Sequence, residues 1–151
     1  MRIIVDSNIV FSGILNIESR IGELLIKSKD YFSFFSADLL KQELLDHKEK
    51  IKKITGFSEE EYIEVKDLAI SKIKFIRDTL IPKMDLKNAE VLLQDIDLDD
   101  TVFVALANHF NAKLWTGDLE LIEGLAKKSY HETITTKEMY QIYIKKEERK
   151  K

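Results

Sequence analysis

Cysteine is absent from the 151 residues, which excludes disulfide frameworks, thiolate zinc sites and thiol nucleophiles together. The absence suits a reducing cytoplasm, the compartment expected here. Proline occurs once and glycine five times, so no linker, repeat or low-complexity segment divides the chain. No apolar run reaches membrane-spanning length, and MRIIVDSNIV meets Asp6 too early for a signal peptide or a span. No membrane is therefore expected among its partners. Positive charge is not in excess either: a net charge of −3 leaves no overall electrostatic footprint for nucleic acid. An enzyme that grips phosphates through metal ions would not need one. What remains, 44% hydrophobic and 34% charged, is an ordinary globular composition long enough for one well-cored domain. That domain is expected over 1–144, with KKEERKK at 145–151 as a charged, frayed tail.

What the chain does have is carboxylates at telling places. Arg2 to Val5 is a β-branched run suited to a central strand buried on both faces. It ends in Asp6-Ser7-Asn8, a strand-to-helix turn with residues that cap helices. In open α/β sheets ligands gather at the carboxyl ends of strands, so Asp6 is either a cap or a site residue. Helical spacing follows over Ile9–Leu15 and Ser19–Ser28, with Ile14, Ile17, Ile21, Leu24 and Leu25 as a core stripe. Tyr31 to Phe35 is strand-like, and Ser36 or Asp38 is placed to cap a helix running from about Leu39 to Ile54. Glu43 borders the apolar stripe of that helix and is either solvated or aimed into a pocket. His47 shares its face, but one His with one Glu is a weak metal signal. KEKIKK (48–53) reads as a solvated helix end, with contact to a nucleic-acid backbone as the alternative. Ser58 with Glu61 predicts a capping box opening a helix to about Ile70, Ile73–Ile76 a strand, and Lys83–Gln94 a helix with Ala89, Val91 and Leu92 on its apolar side.

The stretch Asp95–Asp118 then opens with four carboxylates in six residues. Such acids repel one another and are costly to bury unpaired, so a chain that gathers them usually has a use for them, most often a hard cation. The D-x-D-x-D start invites a calcium loop, but Asp100 stands where that loop needs glycine and Leu106 where it needs glutamate. Asp99 and Asp100 instead open a helix, Thr101–Phe110, apolar nearly all round. Dipole and capping account for one aspartate of that pair, not for both plus Asp97. Lys113–Thr116 is a strand delivering Asp118, a second aspartate just past a strand end. Leu119–Ala126, Glu132–Thr135 and Lys137–Ile144 read as helix, strand and helix. The alternation predicts an α/β fold, a central, mostly parallel sheet covered by helices on both faces.

Ile-Val-Asp6-Ser-Asn, Leu-x-x-Glu43-Leu, and Asp100-x-x-Phe-Val-Ala-Leu-Ala before Leu-Trp-Thr116-Gly-Asp118 resemble the PIN-domain nucleases. The resemblance runs from about Met1 to Thr136 and is most specific in the last motif. It implies a PIN-like three-layer α/β/α fold and a Mg²⁺- or Mn²⁺-dependent phosphodiesterase, an endoribonuclease in the usual case. It also implies an acidic quartet, Asp6, Glu43, Asp100 and Asp118, holding the metal. Thr116 matches the threonine of the T-x-D motif, and Ser7 or Asn8 the polar residue after the first aspartate. Asp97, Asp99 and Glu120 are extra acids without a match, and Asp99 stays open as an alternative to Asp100. Many small members are toxins paired with an antitoxin protein and many are homodimers; both partners are expectations by analogy, beside an RNA substrate.

The chemistry agrees, since phosphodiester hydrolysis needs an activated water and relief of charge, and magnesium takes oxygen ligands without His or Cys. Haloacid-dehalogenase phosphatases would need a second aspartate where Asn8 stands, and receiver domains an acidic pair where there is only Asp6. A catalytically silent PIN-fold interaction module is the alternative of another class.

Overall fold

The computed structural model describes residues 1–151. Strands β1 (Arg2–Val5), β2 (Ser33–Ala37), β3 (Ile73–Ile76), β4 (Lys113–Trp115) and β5 (Thr133–Ile134) form one sheet in the order β3-β2-β1-β4-β5. Every pairing is parallel. Ile3, Ile4 and Val5 are fully buried, as a β-branched central strand requires. The chain winds from β1 out to β3, then crosses back to β4 and β5 on the other side of β1. The strand order therefore reverses between β1 and β4, and the crevice at that switch point is where open α/β sheets bind ligands.

Helices α1 (Ser7–Leu15), α2 (Arg20–Lys27), α3 (Leu39–Asp46), α4 (Lys48–Thr55), α5 (Glu59–Ile70) and α9 (Thr136–Arg149) pack together on one face. Helices α6 (Lys83–Leu93), α7 (Thr101–His109) and α8 (Leu119–Ala126) cover the other, as right-handed crossovers dictate. The expected three-layer α/β/α sandwich is what forms. Phe103 to Ala107 of α7 are all buried, and the helix lies directly on β1, β2 and β4. The same face closes tightly beside it: a Cβ on Gly124 of α8 would stand 2.7 Å from Ile96, which precedes α7. No helix is long and apolar enough to cross a membrane.

Several expectations shift. The aromatic strand is Ser33–Ala37 rather than Tyr31–Phe35. The helix expected over 39–54 is broken at His47 (φ −101°, ψ 4°), where Glu43 and Leu45 carbonyls share one N–H. Neither expected cap precedes it: the Ser36 hydroxyl donates to the Val5 carbonyl at 2.8 Å, and Asp38 makes no capping bond. On α6 the core-facing residues are Ala89 and Leu93, whereas Val91 is 61% exposed. The Ser58–Glu61 capping box is present. The closing helix runs past Ile144 to Arg149, because the Tyr31 hydroxyl donates to Glu147 at 2.8 Å and Lys150 reaches Asp30 at 3.5 Å.

Candidate active site

Asp6 follows β1 directly and is the N-cap of α1, so Oδ1 accepts the Asn8 backbone N–H at 3.2 Å. Its own backbone N–H donates to the Trp115 carbonyl, which fixes the end of β1 against the end of β4. From that neighbouring strand the fully buried Thr116 hydroxyl donates to Asp6 Oδ2 at 2.8 Å and accepts the Asp118 backbone N–H at 3.1 Å. Thr116 thus ties the two strand-end aspartates into one unit across the switch point. Asp118 caps α8, with Oδ1 accepting the Leu121 N–H at 3.2 Å.

Asp97, Asp99 and Asp100 divide their roles. Asp97 starts a 3-10 turn, Leu98–Asp100, by accepting the Asp99 N–H at 2.9 Å. Asp97 and Asp99 are exposed, whereas Asp100 is half-buried and makes no capping hydrogen bond. Its carboxyl is pushed up to about 7 by burial first, and then by the charges of Asp6, Asp97, Asp118 and Asp99. Burial likewise raises Asp6, reinforced by Asp118 and opposed by the bonds from Thr116 and Asn8. Glu43, entering from α3, is raised by burial and by Asp6 and Asp99. The nearby Ser7 hydroxyl and a protonated His47 favour its charged form. Ser7 Oγ is buried, yet meets no partner in full hydrogen-bond geometry; it lies beside the Glu43 carboxylate without closing on it. Asn8 contributes only its backbone N–H to Asp6, since the residue itself is exposed.

None of Asp6, Glu43, Asp100 and Asp118 is paired with a Lys, Arg or His, while ten ion pairs form elsewhere. Asp6, Asp100 and Asp118 therefore repel one another at the switch point, and Glu43 feels Asp6 from α3, with no Lys or Arg of the protein's own to offset them. No three Asp, Glu or His residues stand close enough together to ligate one ion jointly. A hard divalent cation still fits the donor set in kind. All four groups offer oxygen, their repulsion calls for positive charge, and magnesium keeps several waters beside a carboxylate or two.

Glu120 lies outside this group, in a separate polar cleft with Asp95, Glu123 and Lys128. A second pair escaped the sequence reading: Asp38 and Asp78 end β2 and β3 side by side. Asp78 is raised by burial and by Asp38. Nothing local marks that pairing, which exists only because β2 and β3 are in register.

An open parallel sheet with acids gathered at its switch point defines a class of α/β/α sandwich. A family profile described as the PIN domain matches residues 4–143. The chain belongs to the PIN-domain family, whose members are generally nucleases that use divalent metals. Among solved structures, VapBC2 from Rickettsia felis bound to a DNA fragment from their promoter is similar, with a TM-score of 0.66 at 17% identity. The match covers 89% of this chain and 97% of that one, and at this identity it speaks for the fold. No curated protein matches the sequence.

Proposed function

We propose that this chain is a divalent-cation-dependent endoribonuclease, with Asp6, Glu43, Asp100 and Asp118 as the acids that hold Mg²⁺ or Mn²⁺. The observation that carries the reading is the unpaired acidic crevice joined by Thr116. Structural caps have no need to converge, and converging acids without a cation oppose folding. When bound, a divalent ion lowers the pKa of a water and relieves negative charge on the scissile phosphate. The chain's own residues supply placement. Thr116 and the Asn8 N–H fix the Asp6 carboxylate, and each Asp6 oxygen keeps a lone pair to offer. Asp118 spends one oxygen on its helix and presents the other. Asp100, without a capping duty, is the carboxyl from which an incoming cation would displace a proton. Ser7 is placed to steady Glu43.

The likeness to VapBC2 supports a further element, that the chain is a cytoplasmic toxin restrained by an antitoxin protein. One observation favours the rival, a catalytically silent interaction module. An apolar groove of about 390 Å³ between α3, α4 and α5 leaves Leu45 65% and Ile63 42% exposed. A pseudoenzyme, however, has no reason to retain four unpaired acids. The deciding experiment incubates the protein with structured and unstructured RNAs plus Mn²⁺ or Mg²⁺. Metal-dependent cleavage, lost in Asp6→Asn and Asp100→Asn, is expected. Absence of cleavage, or cleavage undiminished in both variants, would overturn the assignment.

A further inference from the structure

An acidic crevice repels the polyanion it is meant to cut, so the substrate needs a positive hold close by. The break at His47 creates one. Helix α4 carries four lysines and one glutamate in eight residues, a local net charge of +3 on a chain of net −3. Its two sides are treated differently. Lys48 and Lys52 close on Glu59 of α5 at 2.6 and 2.7 Å. Lys50 and Lys53 are exposed and pair with no carboxylate. At about 100° per residue, Lys50, Lys53 and His47 share one face, away from the Glu59 side. Ile54, 62% exposed, lies on that same face.

His47 links this face to the acids. It stands one turn beyond Glu43, as Phe11 stands one turn beyond Ser7. The two rings meet edge to face, 5.1 Å apart at 66°. Phe11 therefore holds the imidazole at the edge of the crevice, where α4 departs. Helix α4 therefore starts beside Glu43, and its lysines run outward from that point.

We propose that the α4 face bearing His47, Lys50 and Lys53 is the track along which the phosphate backbone of a single-stranded RNA lies as it leaves the acidic site. The inference rests on the nuclease reading and adds where the substrate runs. Lys50 and Lys53 contact phosphates, His47 a phosphate or base next to the scissile position, and Ile54 offers apolar surface to a sugar or base.

The test compares cleavage of an unstructured oligoribonucleotide by the unsubstituted protein and by Lys50→Gln/Lys53→Gln. The control is Lys145→Gln/Lys151→Gln, the same charge change at the far end of α9. With two phosphate contacts gone, KM rises about tenfold while kcat holds, and the slope of log KM against log salt falls by about 1.4, or 0.7 per contact. His47→Ala raises KM further with a small fall in melting temperature, since it also loses the Phe11 contact, while the lysine variants keep the original melting temperature. Should the unsubstituted protein cleave and the α4 variant match it in KM and salt slope, the track is wrong and the active-site reading stands. An equal loss in the α9 control also overturns the track, because the effect would then be one of net charge. If the unsubstituted protein cuts nothing, both readings fall.

Discussion

Replacing Asp100 by asparagine should make the cation-free protein more stable, and the size of the gain follows from the burial of its carboxyl and the crowding of the acids around it. Burial and four neighbouring aspartates hold the Asp100 carboxyl at about 7 against an ordinary 3.8. At roughly 1.36 kcal/mol per pH unit, that displacement corresponds to about 4 kcal/mol of opposition to the ionised folded state. Water still reaches part of the side chain and screens it, so about half, ~2 kcal/mol, is the expected net effect. The sign is set by proton counts. The folded form keeps its proton up to about pH 7 and the unfolded chain releases it near 3.8, so the native state binds more protons in that window. Stability contributed by the protonated carboxyl is therefore lost as pH rises from about 4 to 7, and above 7 the full penalty applies.

Asparagine keeps the shape and cannot ionise. In thermal melts with chelator at about pH 8, Asp100→Asn should raise Tm by roughly 4–8 °C, since 1 kcal/mol moves a domain of this size by 2–4 °C. At about pH 4.5 the wild-type carboxyl is protonated in the fold, and the gain should shrink several-fold. No rise at the higher pH would refute the claim that the acids repel one another across the crevice. A rise of equal size at both would trace the effect to something other than charge.

The remaining expectations use the same geometry. Millimolar Mn²⁺ should raise the Tm of the wild type, by about 2.7 kcal/mol of added stability at a hundredfold excess over Kd. It should leave Asp118→Asn unmoved; equal shifts in the two melts would remove these acids from the site. Thr116→Val deletes the hydroxyl that joins Asp6 to the Asp118 N–H, and should cost about 1–3 kcal/mol in urea unfolding along with most RNA cleavage. Thr116→Ser should retain both, and a valine variant as active and stable as wild type would make the hydroxyl idle. Gly22→Ala places a Cβ 1.9 Å from the Ile17 carbonyl oxygen, so α2 must shift and the Tm must fall, at about 1–3 kcal/mol of lost stability. An unchanged Tm would contradict that close approach.

Features carried by a run of neighbouring residues are legible in the sequence. The β-branched start, the Ser58–Glu61 box and the buried alanine-bearing helix all have local causes, and all appear. What escaped depends on contacts between distant residues. No glycine or proline marks the break at His47, which follows the packing of α3 and α4 against α1. The charged end of α9 stays helical because Tyr31 and Asp30, more than a hundred residues earlier, hold Glu147 and Lys150. On the candidate site, spacing placed Asp6 and Asp118 past strand ends, and the register of β1 with β4 brings them together. The placement of Glu43 and the freedom of Lys50 and Lys53 needed the third dimension.

Helix capping and ion holding were set against each other as explanations for these aspartates, and the geometry removes the opposition. Asp6 and Asp118 each use Oδ1 to cap a helix, and that bond orients the carboxylate toward the crevice. Asp97 caps the turn before α7, which leaves Asp100, at the N-cap position itself, with no bond to make. The run of acids that looked excessive for one helix start is thus a division of labour, one residue securing the backbone while another remains free and under repulsion. Asp97→Asn keeps an acceptor for the Asp99 N–H and should change stability little, while Asp97→Ala should loosen the turn and displace Asp100. A loss of RNA cleavage in the alanine variant only would mark Asp97 as a positioning residue. Equal losses in both would mean that its charge, not its bond, serves the site.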